Sequence, residues 1–251
     1  FLHEGHLSLI RRAKAENDTV VVSDFVNPTQ FAPNEDFESY PRNIERDEQL
    51  ATGAGADVVF HPSAEEIYPS GSSTSVEVAG EITRVLCGAS RPTHFKGVTT
   101  VVAILFNIVR PQKAYFGQKD AQQAAVLIKM ATDLHMDIEL IVCPIVREED
   151  GLAMSSRNTY LSATERSQAV ILNKALREVR EAFEKGEDNV EKLVRQITGK
   201  INEAPLASID YVSIYAYPSL KTIETVNDKA LAAVAVRFGT TRLIDNIILE
   251  K

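Results

Sequence analysis

Residues 97–143 read GVTTVVAILFNIVRPQKAYFGQKDAQQAAVLIKMATDLHMDIELIVC, and this stretch decides the fold class. Val98, Val101, Val102, Leu105, Phe106 and Val109 recur at intervals of three and four, the period of one apolar helix face, and the stripe stops before Pro111. Lys113 to Gly117 predicts a strand, Gln122 to Leu134 a helix and Ile138 to Cys143 a second strand. Strand, helix and strand in succession predict a parallel pair with a right-handed crossover. Ligands of such sheets sit beyond the carboxyl ends of the strands. The turn Gly117-Gln118-Lys119-Asp120 therefore stands where chemistry is expected.

The same alternation extends upstream. Leu7 to Ala15 has helical spacing, and Thr19 to Val26 is β-branched and apolar, as for a strand buried on both faces. A polar, proline-bearing loop covers Asn27 to Arg42. Asn43 to Ala54 reads as a helix with Gly53 and Gly55 near its end, and Asp57 to Phe60 as a strand. Beyond about Val146 the character changes. Ser162 with Glu165 is a capping box opening a helix that carries Leu172, Leu176, Val179 and Phe183 and ends at Gly186. Asp188 with Glu191 opens another, with Val190, Leu193, Val194, Ile197 and Ile201 on one face. Ile209–Tyr217, Ala230–Val236 and Arg242–Leu249 then predict three strands. The reading is α/β: a doubly wound (Rossmann-like) parallel-sheet domain over residues 1–145, followed by a smaller α+β domain over 146–251.

The chain has 251 residues, with 27 Lys plus Arg against 35 Asp plus Glu, and a net charge of −8. That balance excludes a nucleic-acid partner bound through counterion release, while a local nest of donors can still hold a small anion. Its 44% apolar and 25% charged residues match a soluble globular chain. No apolar run approaches the ~20 residues that span a bilayer, so no membrane partner is expected. Cys87 and Cys143 are too few for a disulfide framework or thiolate metal site and read as reduced residues of a cytoplasmic protein. The chain opens on Phe1 without a basic and apolar leader, so no signal peptide is expected, and its natural start is expected to lie upstream.

His3-Glu4-Gly5-His6 stands before the first helix. Its histidines share a face, its glycine lets a ligand approach, and a helix N-terminus suits phosphate. Their spacing of three does not match the zinc-protease helix, and frayed terminal residues also fit the pair. Met154-Ser155-Ser156-Arg157-Asn158 offers hydroxyls and a guanidinium fork to phosphate, or a solvated loop. Lys119 is placed to meet a nucleotide, or lies in a surface turn whose Asp120 caps a helix. Gln30, in Asn27-Pro28-Thr29-Gln30-Phe31, has an amide suited to a hydroxy acid, or faces solvent in a turn. Gln123 reads by itself as a solvated helix residue, and His94 as structural or ligand-facing in equal measure.

Several of these segments occur in order with Phe25–Phe31, Tyr40-Pro41-Arg42, Arg91–Val98, Tyr115–Gln123 and Thr241-Arg242-Leu243-Ile244-Asp245-Asn246. Together they resemble the pantothenate synthetase (pantoate–β-alanine ligase) family of the nucleotidyltransferase superfamily, over essentially the whole chain. The resemblance implies ATP-dependent condensation of pantoate with β-alanine through a pantoyl adenylate, giving pantothenate, AMP and pyrophosphate. It implies catalytic roles for His6, His3, Lys119, Ser155 and Arg157. It also implies an ATP site of Phe1, Leu2, His3, Glu4, Gly5, His6, Gly117, Gln118, Lys119, Asp120, Val146, Met154, Ser155, Ser156 and Arg157. Pantoate would be held by Gln30 and Gln123, and β-alanine by Gln30. Mg2+ would travel with ATP without a metal site of the protein's own, the second domain would act as a lid, and the enzyme would be a homodimer. Two departures accompany the resemblance. The family carries about thirty further residues upstream, including a strand, and Gln118 and Ala121 replace a usual Glu and a usually larger residue. A transferase leaving a stable adenylated product, and a catalytically silent nucleotide-binding chain, are the competing readings.

Overall fold

The computed structural model describes residues 1–32 and 35–251. Positions 33 and 34 of the predicted 27–42 loop lie outside the described residues. Two compact units emerge: Phe1–Gly117 with Val126–Cys143, and Gln118–Ala125 with Pro144–Lys251.

The first unit contains α1 (Glu4–Glu16), β1 (Val21–Ser23), α2 (Ile44–Ala54), β2 (Val58–Phe60), the single turns α3 (Ala64–Ile67) and α4 (Cys87–Ser90), α5 (His94–Val109), β3 (Lys113–Gly117) and β4 (Glu139–Cys143). Helix α6 (Ala121–Asp133) begins among residues of the second unit and continues in the first. The predicted parallel pairings form, with Val21 opposite Val58 and Lys113 opposite Glu139. They make two separate two-stranded sheets among the described residues. Strand β1 is shorter than the predicted run, and only one of its faces is covered. Val20 and Val22 turn into a core with Leu7, Ile10, Ala13 and Ala51, while Val21 and its partner Val58 are 36% and 48% exposed. Alternate residues of a strand point to opposite sides, so a one-sided core buries every second valine. Asn43 caps α2 by accepting from the Arg46 N–H at 3.0 Å, and Gly55 ends it at φ +108°, a conformation that favours glycine.

Asp24 follows β1. Burial pushes its carboxyl above the usual range, and the neighbouring Asp47 and Glu48 charges add to the shift. A carboxyl raised by folding binds its proton more readily in the folded state. Its stabilising contribution is present while it is protonated and disappears as pH rises through the folded value. Asp24→Asn is therefore expected to raise the Tm at neutral pH, with the gain vanishing below the ordinary carboxylate pKa of about 3.9. Thermal melts across that range check this, and a gain independent of pH would contradict it.

The second unit carries α7 (Ala163–Ala169), α8 (Ile171–Glu184), α9 (Val190–Ile201) and an antiparallel sheet, β5 (Ala207–Ala216), β6 (Lys229–Phe238) and β7 (Thr241–Glu250), with β6 in the middle. Its core joins Leu172, Leu176 and Val179 of α8 and Leu193, Ile197 and Ile201 of α9 to the sheet. The Ser162–Glu165 capping box forms, but the helix it opens breaks at Val170 into α7 and α8. Asn189, rather than Asp188, caps α9 by accepting from the Lys192 N–H at 3.0 Å; the backbone of Asp188 is bonded across to Val226, and the Asp188 side chain pairs with Lys251 at 2.7 Å.

Candidate functional site

Helix α1 begins in an uncommon way. His3 is its N-cap, in extended backbone, and its Nδ1 accepts from the Gly5 N–H at 3.1 Å. His6, three residues on, accepts the His3 N–H on its own Nδ1 at 3.2 Å. Two imidazoles thus do the work usually done by a Ser/Thr and a Glu/Gln in a capping box. The rings lie 4.0 Å apart between centroids. Because each Nδ1 is an acceptor, each neutral ring carries its proton on Nε2. The pair therefore presents N–H edges at the positive end of a helix, where an anion is favoured.

The neighbouring residues are tied down. The Leu2 N–H donates to Asp47 Oδ1 at 2.9 Å, its carbonyl accepts from Arg46 at 2.9 Å, and its side chain is buried. The Phe1 ring lies 4.1 Å from the Arg46 guanidinium, and Glu4 pairs with Arg11. Asp47 is 1% exposed and fastens the entry to α1 onto α2. Sequence reading missed it, because its partner lies 45 residues away.

Gln30 ends a short 3-10 turn over Pro28–Gln30. Its backbone carbonyl accepts from His94 Nδ1 at 2.9 Å and from Arg91 at 3.1 Å. Arg91 is gripped by Glu35, with both bonds at 2.5 Å. Burial pushes the Glu35 carboxyl up, but the Arg91 hydrogen bonds and charge outweigh this and hold it below the usual range. Asn27, 2% exposed, donates to the Gly97 carbonyl at 3.2 Å and accepts from Tyr68 and Thr29, both at 2.9 Å. His94 thus supports Gln30 from the first turn of α5. The Arg91–Glu35 pair spans 56 residues and carries no local sequence signal.

Gly97 admits this turn onto α5. A Cβ there would meet the Thr29 carbonyl carbon at 2.6 Å and the Gln30 nitrogen at 2.8 Å, both backbone atoms that cannot swing away. Gly97→Ala is expected to destabilise the protein by roughly 1–3 kcal/mol. Gly53→Ala, in α2 with open space around it, should instead be stabilising by up to about 1 kcal/mol. Thermal unfolding of the two variants checks this, and equal responses would contradict it.

In the second unit, Gln118–Asp120 forms a 3-10 turn leading into α6. Residues 146–154 fold back on themselves: the Met154 N–H reaches the Val146 carbonyl at 3.0 Å, Arg147 bridges Ala153, and Gly151 turns at φ +95°. Ser155 then caps a 3-10 segment over Ser156–Tyr160 by accepting the Arg157 N–H at 3.3 Å. Ser156 is buried. A small pocket of about 10 Å³, room for about one water molecule, is lined by Lys119, Ser155, Asn158 and Asp245 over a floor including Leu152 and Leu172. Asn158 donates to Glu148 at 2.7 Å and to the Ala153 carbonyl at 3.1 Å. Its buried Oδ1 has no hydrogen-bond partner among the described residues and is an acceptor for a donor placed there. Lys119, 3.9 Å from Asp120, supplies a cation to the same pocket. Gln123 lies partly buried on the first turn of α6.

The structure thus brings His3 to His6, and Lys119 to Ser155. Among the described residues, no three His, Cys, Asp or Glu side chains are grouped to hold a metal ion, and no helix is long and apolar enough to cross a membrane.

Paired imidazoles at a helix N-terminus in the parallel α/β unit, and a lysine beside a serine in the α+β unit, are groups of the kind that suit phosphate. The chain belongs to the pantoate–β-alanine ligase family, whose model matches residues 1–248. It is 58% identical to the pantothenate synthetase of Acetivibrio thermocellus over 250 residues, covering all of this chain and 89% of that protein. Its structure is similar to the crystal structure of pantothenate synthetase from Thermus thermophilus, with a TM-score of 0.95 and 46% identity over 98% of this chain and 89% of that one. It also resembles the pantoate–β-alanine ligase of Francisella tularensis solved with beta-gamma ATP and β-alanine, with a TM-score of 0.78 and 37% identity over 98% and 85%.

Proposed function

We propose that this chain is an ATP-dependent ligase that condenses pantoate with β-alanine, forming a C–N bond and giving pantothenate, AMP and pyrophosphate. The observation that carries this reading is the family match across residues 1–248. In the first step a pantoate carboxylate oxygen attacks the α-phosphorus and pyrophosphate leaves with the electrons of the broken P–O bond. In the second the β-alanine amine attacks the acyl carbon, the C–O bond breaks with its electrons leaving on the AMP phosphate oxygen, and the amine's proton passes to solvent. Neither step needs an enzyme nucleophile, so catalysis rests on positioning and on stabilising charge.

His3 and His6 direct their Nε2–H edges to the phosphates, with His6 the proton donor. Lys119, Ser155 and the Arg157 fork hold the phosphate oxygens. Phe1, Leu2, Glu4, Gly5, Gly117, Gln118, Asp120, Val146, Met154 and Ser156 complete the nucleotide site. Gln30 and Gln123 hold pantoate, and Gln30 also meets β-alanine. The fixing of the Gln30 backbone by His94 and Arg91 supports that role, since an amide selects a substrate only when it is held still. Mg2+ enters as part of the ATP substrate, bound through phosphate oxygens as is usual for this ion. The family resemblance further supports a cytoplasmic homodimer, and the change of sequence character near Val146 supports domains over residues 1–145 and 146–251.

Given MgATP and pantoate alone, the protein is expected to release pyrophosphate and retain AMP as the acyl adenylate, with AMP freed on addition of β-alanine. AMP release that ignores β-alanine, or an adenylated product that resists it, overturns the proposal.

A further inference from the structure

The sequence segment Thr241–Asn246 falls on β7. Asp245 and Asn246, at its end, are 2% and 3% exposed in the middle of that strand. Asparagine is a poor strand former, and a buried carboxamide must spend its hydrogen bonds somewhere. Asn246 spends all three of those seen on the lysine turn. Its Nδ2 donates to the Gln118 carbonyl at 2.9 Å and to the Lys119 carbonyl at 3.0 Å, and its Oδ1 accepts from Gln118 Nε2 at 3.2 Å. Two carbonyl acceptors on one side settle which end of the amide is the nitrogen. Behind it, the Asn246 N–H donates to Asp245 Oδ1 at 2.8 Å, and Arg147 holds the Asp245 carboxylate with bonds of 2.7 and 2.9 Å. Arg147 is itself tied to the Gly151 carbonyl at 3.1 Å.

We propose that Asn246 is the positioning residue of the lysine turn: by pinning two consecutive carbonyls it sets where the Lys119 ammonium meets the phosphates, with Asp245 and Arg147 anchoring it. This rests on the reading of Lys119 as a phosphate-holding group. The physical reason is that a lysine side chain is long and flexible, so its useful placement depends on a fixed backbone beneath it. Two carbonyls bonded to one amide fix the peptide between them, and with it the direction in which Lys119 leaves the chain. Gln118 joins the device as an amide donor to Asn246 Oδ1. A carboxylate at that position would present only acceptors to the same oxygen.

The test is a double-mutant cycle with Asn246→Ala and Lys119→Ala, following AMP release with MgATP, pantoate and β-alanine. Asn246→Ala is expected to lower kcat by about tenfold or more, while the KM for pantoate moves less than about twofold. In the Lys119→Ala background the same change should cost less than about twofold, because a residue acting through the lysine has nothing left to place. Asn246→Asp, equal in size but without the two donors, should behave like Asn246→Ala and keeps the test sound if the alanine variant does not fold. Full activity in folded Asn246 variants, or losses that simply multiply in the double variant, overturns the inference. So does failure of both Asn246 variants to fold, which would make Asn246 a residue of the fold alone. Unimpaired activity in Lys119→Ala by itself would instead remove the reading of Lys119 on which the inference stands.

Discussion

Replacing His6 by alanine is expected to lower turnover by on the order of 10²-fold or more, the usual scale for a lost acid–base or charge-stabilising contact. The structure gives His6 two duties that this substitution removes together. It closes the capping box by accepting the His3 N–H, and it carries a proton on Nε2. The first is a matter of stability, worth about 0.5–2 kcal/mol for a helix cap. His6→Gln separates them, because a glutamine at that position of a capping box can still accept the N-cap N–H but does not titrate. The glutamine variant should melt close to the parent protein and still lose about the same factor in kcat. Parallel measurement of AMP formation and thermal unfolding checks this. Near-parental turnover in His6→Gln would remove the proton-donor role while leaving the capping geometry untouched.

The largest effect on stability is expected at Arg147. Asp245 is 2% exposed, and two of its hydrogen bonds come from the Arg147 guanidinium. Removing one partner of a buried ion pair leaves an uncompensated charge, at a cost of about 3–5 kcal/mol. Arg147→Ala should therefore lower the Tm by roughly 10 °C or more. Adding Asp245→Asn to Arg147→Ala discharges the stranded carboxylate while keeping an acceptor for the Asn246 N–H, so the double variant should recover part of the loss. A double variant as unstable as Arg147→Ala, or a single variant that melts normally, would show that the pair is not the anchor its geometry describes.

Much of the fold is legible because the signals are local. The stripe from Val98 to Val109, the strand at Lys113–Gly117 and the Ser162–Glu165 box each lie within a few residues of chain, where helical or strand period and capping chemistry act directly. The same locality explains the errors. At the start of α9, Asp188 and Asn189 are adjacent and chemically equivalent as caps, and backbone pairing of residues 188–190 with 224–226, distant in sequence, accompanies the choice of Asn189. The valines of Thr19–Val26 look alike in sequence, yet Val20 and Val22 pack toward Leu7, Ile10 and Ala51 while Val21 is exposed.

The candidate site divides along the same line. By itself the sequence determined which chemical groups are offered: two histidines at a helix start, a lysine after a parallel strand, a Ser-Ser-Arg run and a glutamine in a short turn. It determined the family as well, because those motifs occur in a fixed order along the chain. Only the tertiary structure decided what holds each group in place. Asp47 fastens the entry to α1, Glu35 and Arg91 fix Gln30, and Asn246 grips the turn of Lys119 through bonds spanning 45, 56 and up to 128 residues. The reason is physical: a reactive side chain is recognised by its type and its neighbours in the chain, whereas its rigidity comes from hydrogen bonds to buried groups that only folding brings within 3 Å.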